Sequence, residues 1–104
     1  YHEKAKEIWK KYERIYIPET VLFELIYFIF KKNQPLELIK LLVYDEKVEI
    51  INNNINDLMF AINNKPKSYD EFNDYMILHT ALRLNANLET FDEELLKEFK
   101  RYKH

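Results

Sequence analysis

Residues 21–30 read Val-Leu-Phe-Glu-Leu-Ile-Tyr-Phe-Ile-Phe, apolar or aromatic at every position except Glu24. Pro18 fits the first turn of a helix, with Glu19 beside it, and Lys31, Lys32 and Asn33 supply the cations and the left-handed cap that end one. The spacing predicts a helix of about four turns. At about 100° per residue, Glu24 falls beside Val21, Leu25 and Phe28, while Phe23, Ile26, Tyr27 and Phe30 cover the other side. A helix that is apolar all round is expected to be buried from two directions, by its own domain and by a partner chain. A lone carboxylate in such a setting costs several kcal/mol. A cation or a water-filled cleft is therefore expected beside Glu24.

The rest of the composition narrows the chemistry. With 104 residues, 47% hydrophobic and 33% charged, the chain is expected to form a single globular domain over residues 1–104. Its longest apolar run is too short to cross a bilayer. The chain has no cysteine, which removes disulfides, thiolate nucleophiles and cysteine-held zinc, and fits a cytoplasmic location. It also has no glycine. Phosphate loops and dinucleotide turns need glycine where backbone must approach phosphate, so nucleotide folds of those kinds are excluded. Ser68 is the only serine, and His2, His79 and His104 are scattered, which argues against a serine triad or a histidine metal site. The net charge of −2 gives no global pull toward a polyanion. Basic clusters at Lys4, Lys6, Lys10, Lys11 and Arg14, and at Lys97, Lys100, Arg101 and Lys103, read first as solvated helix faces.

Along the chain, Ala5, Ile8, Trp9 and Tyr12 recur at helical spacing, and residues 14–17 form a short β-prone run before Pro18. A second helix-forming stretch spans residues 35–43, with Leu36, Ile39, Leu42 and Val43 on its buried side. Val48–Ile51 is a second strand, closed by three asparagines. Residues 55–62 are helical. Ser68 and Glu71 have capping-box spacing for a helix over residues 69–84, whose end is flanked by Asn85 and Asn87 where glycine would be usual. Residues 88–90 are expected as a third strand. Thr90 and Glu93 make a second capping box for a last helix reaching about residue 102. Short strands alternating with helices indicate an α/β domain with a parallel sheet.

Three acids fall on faces meant for burial. Asp74, Ile77, Leu78, Ala81 and Leu82 follow a core stripe, so Asp74 heads a buried face. Asp92 follows the third expected strand, at the edge where parallel sheets place ligands. Glu24 lies in the helix after the first strand. Each has a plain alternative, since Asp92 suits any first helical turn and Asp74 or Glu24 could pair with a basic residue. His79 lies on the other face from Asp74, with Met76 and Arg83, and reads as an ordinary interface or surface histidine. Carboxylates brought together need a cation, and all-oxygen ligands favour Mg²⁺ or Mn²⁺.

Residues 17–25, Ile-Pro-Glu-Thr-Val-Leu-Phe-Glu-Leu, resemble the second strand, helix and glutamate of PIN-domain ribonucleases, including the toxin halves of VapBC-type toxin–antitoxin pairs. Residues 72–81, Phe-Asn-Asp-Tyr-Met-Ile-Leu-His-Thr-Ala, are similar to that family's aspartate-headed helix, and residues 87–92, Asn-Leu-Glu-Thr-Phe-Asp, to its strand, threonine and final aspartate. The resemblance implies a three-layer α/β/α sandwich with a short parallel sheet, and a Mg²⁺- or Mn²⁺-dependent endoribonuclease. By this likeness Glu24, Asp74 and Asp92 would hold the metal, and Thr90 would orient water or the site. It further implies an RNA substrate and, for a toxin, an antitoxin that masks the acids or occupies the aromatic surface. That aromatic side of residues 21–30 itself points to a homodimer. The family begins with a central, aspartate-bearing strand that this sequence does not show, so an N-terminally truncated domain is expected, itself inactive in the extreme case. The alternative is a catalytically inactive PIN-like module for protein interaction.

Overall fold

A computed structural model describes residues 2–90 and 93–103. Six helices and two strands occur among them: α1 (His2–Lys11), β1 (Ile15–Pro18), α2 (Glu19–Lys31), α3 (Glu37–Val43), β2 (Val48–Ile51), α4 (Ile55–Asn63), α5 (Tyr69–Arg83) and α6 (Glu93–Lys103). The fold class is mixed α/β. The chain divides into two compact units, residues 1–52 and residues 53–104.

In the first unit β1 and β2 pair in parallel, with Ile15 opposite Val48 and Pro18 opposite Ile51. The strands carry β-branched residues at Ile15, Ile17, Val48, Ile50 and Ile51, which suit a pleated surface covered by helices. α2 packs on both strands and α3 on β2. Pro18 ends β1 and serves as the N-cap residue of α2 with φ −61°, the angle its ring imposes. Lys47 anchors the turn before β2. Its ammonium donates to the Trp9 carbonyl at 2.6 Å and lies 5.2 Å from the Trp9 ring centre, while its own carbonyl accepts from the Ile15 N–H at 2.7 Å. One lysine thus ties α1 to the sheet by hydrogen bond and cation–π contact.

The expected two-sided burial of the apolar helix is not found within this chain. In α2 only Ile29 is buried, whereas Phe23, Tyr27, Phe28 and Phe30 are 53–65% exposed. Strands β1 and β2, on which α2 packs, have too little surface to cover every side of a fully apolar helix. Leu41 and Tyr44, at 74% and 79% exposed, extend the apolar surface along α3 and its C-cap.

The second unit is a helical assembly in which α5 packs against both α4 and α6. Its core is Leu78 and Ala81 of α5 with Leu95 and Phe99 of α6, against which Phe60, Tyr75, Ile77, Leu82 and Leu88 pack. Phe60 sits among the rings of Tyr75, His79 and Tyr102, with centroids 6.2, 4.9 and 5.4 Å away. Of the expected Ser68–Glu71 box the structure shows the Ser68 half, the hydroxyl accepting from the Glu71 N–H at 3.1 Å. The expected Thr90–Glu93 box falls at the start of α6, next to Phe91 and Asp92, which lie outside the described residues.

Residues 88–90 do not form the third strand expected for them. An extended segment becomes a strand by pairing its backbone with a neighbour, and the sheet among the described residues holds β1 and β2 alone. The chain turns without glycine by placing Asn33, Lys65 and Asn85 in the left-handed region, at φ 54°, 52° and 52°. The two asparagines suit that conformation, whereas Lys65 bears its steric cost.

Candidate active site

Asp74 stands on the face of α5 that looks toward α6. Within the second unit it lines a cleft of about 410 Å³ together with Ser68, Asp70, Glu71, Tyr75, Leu78, Glu94, Leu95 and Glu98. The core stripe of α5 explains how it comes to be there. Leu78, one turn on, is fully buried, and Ala81 is 8% exposed, so the side of α5 that anchors the core also carries Asp74 at its N-terminal end. The first-turn acids Asp70 and Glu71, and Glu94 across the cleft, favour the positive ends of their helices. Glu98 is held by Arg101 at 2.8 Å and Glu94 by Lys97 at 3.7 Å.

The cleft is therefore strongly acidic. Burial pushes the Tyr75 hydroxyl above its ordinary range, and the nearby Glu71 and Glu98 carboxylates push it further. Its donors are oxygens, the type that Mg²⁺ and Mn²⁺ prefer. However, among the described residues no three histidine, aspartate or glutamate side chains gather closely enough to hold a metal ion, so the described donors alone do not make a metal site.

The other expected site residues are distributed as follows. Glu24 lies midway along α2 in the first unit, on an exposed part of the helix, not in the buried setting expected for it. The apolar surroundings anticipated there are side chains that this chain leaves open to solvent. Thr90 is half-buried in the irregular segment before α6. Asp92 lies outside the described residues.

A second constellation in the same unit is absent from the sequence reading. Asp57 is fully buried at 0% exposure. It is the third residue of α4 and completes a capping box with Asn54: the Asp57 N–H donates to Asn54 Oδ1 and the Asn54 N–H donates to Asp57 Oδ2, both at 3.0 Å. The same carboxylate reaches α5. Arg83 donates through Nε to Oδ1 at 3.2 Å and through its terminal nitrogen to Oδ2 at 3.0 Å. His79 Nδ1 lies 2.6 Å from Oδ1. Burial by itself works to raise the Asp57 carboxyl, but the Arg83 and His79 bonds, the Asn54 N–H and the Arg83 charge outweigh it and hold the group below the usual carboxylate range. An ionised carboxylate only accepts, so His79 carries its hydrogen on Nδ1.

His79 is therefore a half-buried partner of a buried acid, not an ordinary surface or interface residue. Two local signals pointed this way. Asn54 and Asp57 have capping-box spacing, and His79 and Arg83 are four residues apart on one helix face. Nothing local could reveal that the two signals meet, because they belong to different helices.

Comparison with known proteins adds one finding. A family model described as PIN domain matches residues 1–103. No curated protein and no solved structure matches the chain.

Proposed function

Given that this chain belongs to the PIN-domain family, a nuclease-type family, we propose that it is a ribonuclease that hydrolyses phosphodiester bonds of RNA in the cytoplasm. The family match over residues 1–103 carries the proposal, and the acidic cleft around Asp74 is its chemical support. Glu24, Asp74 and Asp92 are its acidic site residues and the ligands proposed for Mg²⁺ or Mn²⁺, with Thr90 orienting the site. Oxygen donors and the absence of cysteine favour hard cations over zinc.

The proposal extends to a homodimer through the exposed aromatic side of α2, where Phe23, Tyr27 and Phe30 are 59–65% exposed. An apolar surface of that kind is characteristic of a protein interface. As the toxin of a toxin–antitoxin pair, the protein would be silenced by an antitoxin that covers its acids.

The test is cleavage of RNA oligonucleotides by the 104-residue chain with Mg²⁺, Mn²⁺ or a chelator, beside Asp74→Asn, Glu24→Gln and Asp92→Asn. Chelator-sensitive cleavage should drop by about a hundredfold or more in Asp74→Asn, the scale of losing a group that stabilises the transition state. Cleavage that survives Asp74→Asn unchanged, or no cleavage of any RNA tried, overturns the proposal.

A further inference from the structure

Asp57 is the only carboxylate among the buried residues described, and its location is not explained by stability alone. Replacing a buried ion pair with apolar residues of similar volume is often neutral or stabilising, whereas its geometry is specific and directional. Here the geometry joins two helices. The carboxylate is fixed to the start of α4 by the reciprocal bonds with Asn54, and both its oxygens are engaged from α5 by Arg83 and one by His79.

His79 and Arg83 are successive turns of one α5 face. A slide of α5 by one residue would carry its donors about 1.5 Å along the axis and about 100° around it. The two-pronged Arg83 bond and the 2.6 Å His79 contact do not survive such a displacement. Asp57 therefore fixes both the rotation and the axial position of α5 against α4.

Asp74 rides on the same helix. It lies five residues before His79, about 140° around α5 and about 7.5 Å along it. Whatever fixes α5 on its α4 side determines how Asp74 is presented to the cleft on its α6 side. Apolar contacts at Leu78 and Ala81 tolerate small rotations more readily than a bidentate hydrogen bond does.

We infer that Asp57 is a positioning residue: through His79 and Arg83 it locks the register of α5 and so sets where Asp74 faces in the acidic cleft. The catalytic consequence rests on the ribonuclease proposal, while the positional one does not. Asp57 does not touch substrate, and it acts only through α5.

The experiment compares Asp57→Asn with Ala61→Gly in the 104-residue chain. Ala61 is fully buried in α4 one turn from Asp57, so the glycine loosens the same helix without removing the lock. Two readouts are taken at a temperature where both variants are folded: cleavage kinetics on a single-stranded RNA oligonucleotide, and the backbone amide NMR signals of Asp74, Tyr75 and Leu78. Asp57→Asn should lower kcat by about ten- to a hundredfold, as expected for misplacement of a site by an ångström or less, with KM held within about twofold. It should also shift the three amide signals, which Ala61→Gly leaves in place. If Asp57→Asn does not fold, Arg83→Lys replaces it, keeping the charge but losing the two-pronged bond. Equal kcat and unchanged amide signals in the locking variants and in Ala61→Gly would overturn the inference. A wild type that cleaves no RNA defeats the ribonuclease proposal, and the amide comparison then decides the inference by itself.

Discussion

At the residue scale Asp57 links the helices α4 and α5 of the second unit, bonding Asn54 before α4 and His79 and Arg83 of α5. Its carboxylate is fully buried, so Asp57→Ala, which removes the capping-box acceptor together with the bonds from Arg83 and His79, should destabilise the unit by about 1–3 kcal/mol in urea titration. The sign of the pH dependence follows from its lowered pKa. The unfolded chain binds the proton at a higher pH than the folded one, so stability rises with pH across that interval. The contribution should be complete above about pH 4, the ordinary aspartate value, and should vanish as the pH falls through the folded-state value. Urea midpoints measured from pH 6 down to pH 2 should show this acid-side loss in the wild type and a smaller one in Asp57→Asn. Lys65 works the other way. Its left-handed backbone at φ 52° costs about 1 kcal/mol that glycine does not incur, so Lys65→Gly should raise the thermal midpoint of the unit.

At the element scale, most helices were legible because their signals are local. The Val48–Ile51 strand has the bounds its composition predicts, and α5 begins at Tyr69 behind its Ser68 cap as expected. Asn33 and Asn85 occupy the left-handed positions that their place after a helix implied. The core stripe of Asp74, Leu78 and Ala81 was visible as periodicity. What escaped the sequence depends on partners distant in the chain. Residues 88–90 have strand composition but join neither strand of the described sheet, and nothing local marks Asp57 as the partner of Arg83 and His79, which come from another helix. For α2, apolarity was legible but its burial was not, since sequence shows what a side chain prefers and not how much surface the rest of the fold can supply. That exposed face yields a direct prediction. Tyr27→Lys, which places a charge at the centre of the Phe23–Phe30 stripe, should convert the proposed homodimer to monomer in sedimentation equilibrium, with the circular dichroism of the helices unchanged.

At the scale of the whole molecule, no helix among the described residues is long and apolar enough to cross a membrane, and the family match runs through both compact units. Under the ribonuclease proposal Glu24 and Asp74 serve one reaction. Glu24→Gln and Asp74→Asn are therefore expected to be non-additive: the double variant should cleave RNA about as slowly as the worse single one, because groups that act as a unit fail together. Each unit also has its own tie, Lys47 to Trp9 in the first and Asp57 to α5 in the second. The second tie has a kinetic corollary. The end of an isolated helix frays on its own, exchanging its first amide hydrogens with solvent long before the protein opens. In α4 the residue that completes the capping box with Asn54 is also the one that holds the neighbouring helix, so the end cannot loosen without releasing α5 as well. The Asp57 amide hydrogen, although it sits at a helix terminus, should persist in D₂O as long as those of the Leu78 core.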